Sequence, residues 1–79
     1  MQIKLKYFGE IAELIGSTEE VIKVDEGYYS NHLCNLLEKK HRGINSINYR
    51  IAINQAISND TVVLNEADEV AFLPSFAGG

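Results

Sequence analysis

One cysteine, Cys34, stands in the whole chain of 79 residues, so no internal disulfide can form. Only two histidines are present, His32 and His41. They lie nine apart with no Cys or carboxylate cluster at ligand spacing, which argues against a structural zinc site. Positive charge is scarce: seven Lys and Arg stand against eleven Asp and Glu, for a net charge of −4. No basic stripe exists for a phosphate backbone to pair with, so nucleic-acid binding is not expected. No apolar run is long enough to span a membrane, and the opening "MQIKLKYF" lacks the apolar stretch of a secretory signal. The expected location is the cytoplasm. A single proline, Pro74, occurs near the end, followed by "SFAGG". Two terminal glycines arise by chance in about 0.5% of chains, so the remainder of the sequence must decide whether they matter.

A chain of this size makes one domain, and its core is marginal without staples. The hydrophobic content is 46%, which suits an ordinary core rather than disorder. "QIKLKYF" alternates: Ile3, Leu5 and Tyr7 fall on one face, Gln2, Lys4, Lys6 and Phe8 on the other. "EIAELIG" has Ile11, Leu14 and Ile15 at helical spacing and predicts a short helix stopped by Gly16. "EEVIKVD" predicts a second strand with Ile22 and Val24 inward. The main helix is expected over residues 28–42, with Tyr29, Leu33, Leu36 and Leu37 as its apolar stripe. Ser30 is its candidate N-cap, with Asp25 and Glu26 as alternatives. Lys39, Lys40, His41 and Arg42 suit the negative end of the helix dipole, and Gly43 ends the helix. "NYRIAIN" predicts a third strand, "QAISND" a short fourth strand or bend, and "EVAFL" the last strand.

One long helix can cover only one face of a small mixed sheet, so the expected class is α+β in two layers. The first and last strands are expected as central parallel neighbours, the ubiquitin-like β-grasp arrangement. The domain is expected over 1–74, with residues 75–79 as a flexible Gly-Gly tail. If the helix covers Ile3, Leu5, Val70 and Phe72, the opposite face should be polar. Yet Phe8, Ala52, Ala71 and Leu73 share that outer parity. An apolar patch there predicts a contact surface. The alternative folds Phe8 under the short helix. Glu66, Asp68 and Glu69 are expected at a solvated turn. Cys34 is expected as a half-buried small hydrophobe.

"RIAINQAISNDTVVLNEADEVAFLPSFAGG" and "KYFGEIAELIG" resemble the molybdopterin synthase small subunit family, ubiquitin-like sulfur carriers. The resemblance rests on Ile-Asn before a turn, an acidic "DEVAF" strand, a proline and the terminal Gly-Gly. It covers the whole chain and is strongest over 51–79. It implies a sulfur carrier that is no enzyme on its own but the sulfur-donating subunit of a sulfurtransferase complex. The Gly79 carboxylate would be adenylated by a ubiquitin-activating-type adenylyltransferase that uses ATP, then converted to a thiocarboxylate. Its sulfur would pass to cyclic pyranopterin monophosphate inside the large subunit of molybdopterin synthase, with two small and two large subunits in the assembly. Gly79 and Gly78 are then the chemical site, since glycine fits a narrow channel. Phe8, Ile57, Leu73, Pro74 and Phe76 are the candidate partner-binding residues. No bound cofactor or metal is implied. Two other readings share the tail: a sulfur carrier for the thiazole of thiamin, and a ubiquitin-like modifier joined through Gly79 to lysines. A plain interaction domain is the third.

Overall fold

The computed structural model describes residues 1–75. Strand β1 (Gln2–Tyr7) leads into helix α1 (Gly9–Ile15), then β2 (Glu19–Lys23) and α2 (Ser30–Lys40). A 3-10 turn (Ile44–Ser46) precedes β3 (Tyr49–Ile53), β4 (Ala56–Ser58) and β5 (Glu69–Pro74). The five strands form one sheet in the order β2-β1-β5-β3-β4. β1 and β5 are parallel neighbours at its centre, with Leu5 opposite Val70 and Tyr7 opposite Phe72. All other pairs are antiparallel. This is the ubiquitin-like β-grasp arrangement that the element order predicts.

Alternation decides the two faces. Ile3, Leu5, Tyr7, Ile51, Val70 and Phe72 point to the helix side and are buried with Ile11, Leu33 and Leu37. The Phe72 ring lies 5.9 Å from Tyr7 and 5.7 Å from Tyr49, in tilted contact with both. Such aromatic pairs add stabilisation beyond the area they bury. Gly16 closes α1 in the left-handed region at φ 82° and bonds back to the Ala12 carbonyl, an end that only glycine accepts without strain.

The helix stripe differs from the expected one. Tyr29 is 43% exposed and Leu36 is 42% exposed. The helix starts at Ser30 and stops at Lys40, so Tyr29 is outside it. Leu36 lies about 100° round the axis from Leu37. The buried stripe is Ser30, Leu33 and Leu37. Ser30 is no N-cap: Tyr29 occupies that place. The Ser30 hydroxyl instead accepts a hydrogen bond from the Val62 amide at 3.0 Å, and the Ser30 amide donates to the Val62 carbonyl at 2.8 Å. That double link ties α2 to the loop before β5. Gly43, expected to end the helix, starts the 3-10 turn, which buries Ile44 completely.

Candidate functional site

Opposite the helices, the outward-facing side chains make a row across four strands. Lys6 pairs with Ala71, Ala71 with Ala52 and Ala52 with Ile57. The two alanines form a low floor, and Ala52 is only 5% exposed despite facing away from the core. Phe8 and Leu73 stand at one end of the floor and Ile57 at its side, so that the residues enclose a shallow groove. Phe8 is 45% exposed and Ile57 51%. Phe8 is therefore not folded under α1. It caps that helix with its backbone, in extended geometry, and its carbonyl accepts from the Ile11 and Ala12 amides.

Ile57 reaches this face because of a tight turn. Ile53 pairs with Ala56, leaving Asn54 and Gln55 as a two-residue loop with φ 51° and 72°. Two positive φ values in succession make the hairpin turn that matches strand twist, and Asn tolerates it best among residues with a side chain. Asn54 is held from three sides. Its amide donates to the Glu69 carbonyl at 2.8 Å, its side-chain carbonyl accepts from the Glu69 amide at 3.0 Å, and its side-chain NH2 donates to Asp68 at 2.8 Å. Asp68 also accepts from the Asn65 amide at 2.8 Å and is 8% exposed.

Within the acidic turn Glu66 is exposed, as expected, and Glu69 half-buried, but Asp68 is not solvated. Asp68 is a buried joint between two turns, because its two carboxylate oxygens accept from the Asn54 side chain and the Asn65 amide. Glu66 accepts from the Gln2 amide at 2.8 Å, and Glu69 pairs with Lys6 at 3.2 Å beside the groove. Asn54 is legible in the sequence only as the Ile-Asn step before a turn, and Gln55 carries no signal of its own.

Pro74 is half-buried at the end of β5, opposite Tyr49. The next amide, Ser75, donates to the Asn48 carbonyl at 2.8 Å. Since β1 and β5 run parallel, Phe8 and Leu73 share the end of the sheet where the chain leaves it. Phe76, Gly78 and Gly79 lie outside the described residues.

Elsewhere, the polar side chains serve the fold. Among the described residues no group of three or more His, Cys, Asp or Glu side chains gathers as a metal site. Burial pushes the Cys34 thiol up, against a smaller opposing effect of a hydrogen bond with Tyr49. The Tyr7 hydroxyl donates to Glu20 and the Tyr49 hydroxyl to Glu38, both at 2.7 Å. Burial first, and these bonds second, raise both phenols well above their ordinary value near about 10. The Tyr7 bond, helped by Lys40, outweighs desolvation and lowers Glu20.

Below about pH 10 both folded and unfolded chains keep the phenolic protons, and the contribution is complete. Above it the unfolded chain loses protons that the folded chain retains, so stability must fall as pH rises. The urea midpoint is expected to decline steadily above pH ~10, with a shallower decline in a Tyr7→Phe, Tyr49→Phe variant. Equal slopes for the two proteins would remove the tyrosines as the cause. At the acid end, the Glu20 contribution stands above the ordinary glutamate range and is lost as pH drops through its lowered folded value.

Three sets of comparisons place this geometry. The ThiS family model matches residues 5–79. A curated relative, the molybdopterin synthase sulfur carrier subunit of Mycobacterium tuberculosis, is 33% identical over 82 residues, covering 100% of this chain and 99% of its own. Among solved structures, the putative molybdopterin converting factor subunit 1 of Pyrococcus furiosus superposes with a TM-score of 0.86 at 24% identity, over 96% of this chain and 99% of that one. SAMP1 from Haloferax volcanii gives 0.81 at 20% identity, over the full length of both. The complex of subunits 1 and 2 of the molybdopterin-converting factor from Helicobacter pylori contains a chain that gives 0.70 at 20% identity, again over the full length of both.

Proposed function

Because this chain belongs to the ThiS family, we propose that it is the sulfur carrier subunit of a molybdopterin synthase. The observation that carries this reading is end-to-end similarity to a molybdopterin synthase sulfur carrier subunit at 33% identity. The geometry supports it: a shallow apolar groove lies at the end of the sheet from which the chain continues toward Gly79.

The chemistry begins at the Gly79 carboxylate. A carboxylate is a poor electrophile. One of its oxygens attacks the α-phosphorus of ATP in the active site of an adenylyltransferase of the ubiquitin-activating type, and pyrophosphate leaves. A sulfur nucleophile then attacks the acyl carbon, the acyl–oxygen bond breaks and AMP departs. The product is a thiocarboxylate. Docked on the large subunit, the same chain end presents its sulfur to cyclic pyranopterin monophosphate. The thiocarboxylate sulfur attacks a pterin carbon and displaces an oxygen substituent, which leaves the carrier and pterin joined as a thioester. Water then adds to the acyl carbon, the acyl–sulfur bond breaks, and the sulfur stays on the pterin while the Gly79 carboxylate is regenerated. This chain supplies the docking face and the terminal group; its partners supply ATP binding, acid–base groups and the pterin site. The expected assembly is two small and two large subunits in the cytoplasm, and the carrier itself holds no cofactor.

Phe8, Ile57 and Leu73 serve as the apolar contact with both partners. Pro74 and Phe76 set and anchor the approach of the last residues. Glycine at 78 and 79 admits the chain into a narrow channel, because no Cβ meets its walls. Fixing a chain segment in a channel costs conformational entropy, which the partner offsets with backbone hydrogen bonds and apolar pockets.

The test is an intact mass. The purified chain is incubated with ATP, sulfide and its activating enzyme. Replacement of one oxygen by sulfur, mapped to Gly79, is the expected result. An unchanged mass, alongside an activating enzyme shown competent on its known carrier, would sink the reading. A mass unchanged in vitro but a ladder of lysine conjugates in cells would point to a protein modifier, in which a lysine amine replaces sulfur as the nucleophile.

A further inference from the structure

Gly9 adopts φ +54°, and a Cβ built on it would lie 3.0 Å from Cγ of Pro74. That is closer than carbon atoms approach without displacement. The closed Pro74 ring can move Cγ only by changing its pucker, and its φ stays fixed; the positive φ at position 9 strains an added side chain as well. On its other side β5 is held by β3: Tyr49 pairs with Pro74, and the Asn48 carbonyl accepts the Ser75 amide at 2.8 Å. The end of β5 is therefore gripped between the β1–α1 junction and the start of β3. Gly79 lies four residues beyond Ser75, a reach of at most about 14 Å.

We infer that Gly9 is a positioning residue for the reaction at Gly79: its bare Cα lets Pro74 seat against the start of α1, which fixes where and in what direction the chain leaves the sheet. This rests on the proposed sulfur-carrier function. The position and direction of the exit set which placements of the Gly79 carboxyl the last four residues can attain, and rate depends steeply on such placement. Gly9 has no side chain to offer a partner, so its effect should fall on turnover rather than on docking.

The test uses the full chain carrying Gly9→Ala. ATP–pyrophosphate exchange by the activating enzyme is followed against carrier concentration. The expected outcome is a kcat reduced about fivefold or more, with the KM for carrier within twofold. Amide exchange by NMR gives an independent reading: the Ser75 amide should exchange at least tenfold faster, with the Leu5 and Val70 amides unchanged. Adding Pro74→Ala removes the colliding ring carbon. The double variant should return the Ser75 rate to that of Pro74→Ala alone, and it takes the place of Gly9→Ala should that variant not fold. A folded Gly9→Ala with normal kcat overturns the inference, whether or not Ser75 loosens. A wild-type chain that supports no exchange instead overturns the sulfur-carrier reading, and the Ser75 rates then decide whether Gly9 holds the exit at all.

Discussion

A chain lacking Gly78 and Gly79 is expected to acquire no sulfur and to leave molybdopterin synthesis at background. The new terminus would be Ala77, whose carboxylate is drawn back by up to about 7 Å. Its Cβ would also enter a channel shaped for glycine. Displacement of this size exceeds the tolerance of a near-attack geometry, where one ångström can cost about 10²-fold; a loss of at least about 10³-fold is expected. The fold should be untouched, because the buried core runs from Ile3 to Phe72. The check is paired: thiocarboxylate by intact mass, and thermal midpoint by circular dichroism. A truncated chain that still carries sulfur would mean that Gly79 is not the working group. A truncated chain with a lowered midpoint would mean that the last residues contribute to stability and that lost function is no measure of chemistry.

The second large effect belongs to the outer face. Phe8→Asp and Leu73→Asp, combined, should weaken association with the large subunit by roughly 2–4 kcal/mol, or ~30- to 1,000-fold in Kd. Each change removes an apolar anchor and puts a charge where the partner would have to desolvate it. Both are chosen so that the monomer survives. Phe8 is the N-cap of α1 and makes no side-chain cap bond; aspartate is a preferred residue there and should hold the helix end at least as well. Leu73 lies opposite the exposed Arg50 in the β3–β5 ladder, so an aspartate at 73 finds an opposite charge across the strand. Titration calorimetry with the large subunit measures the loss, and the denaturation midpoint measures the fold. Normal affinity in a folded double variant would remove this face from the interface. An unfolded variant would show that the two side chains hold the sheet together rather than a partner.

Local pattern carried much of this protein. Alternation in "QIKLKYF" and "EVAFL" is enough to sort Ile3, Leu5, Val70 and Phe72 from Phe8, Ala71 and Leu73, because side chains on a strand must alternate whatever surrounds it. The same parity puts Ala52 on the outer face. The proposed chemistry at Gly79 rests on the Gly-Gly motif and the proline before it, and Gly78 and Gly79 lie outside the described residues. Order of elements was also legible: one long helix between hairpin and strands leaves few ways to cover a mixed sheet.

What only the tertiary structure decided depends on segments far apart in sequence. Tyr29 and Leu36 fit a helical stripe, but the helix begins after one and turns the other to solvent. Ile44 and Leu64 complete the core from irregular segments, where no period exists to announce them. Asp68 looks like any turn carboxylate until Asn54, fourteen residues earlier, is brought against it. That bond holds the turn that sends Ile57 to the groove. The seat of Pro74 on Gly9 joins residues 65 positions apart. Periodicity reports the geometry of a few neighbouring residues; register between strands decides which distant groups meet, and no single stretch of the chain contains that information.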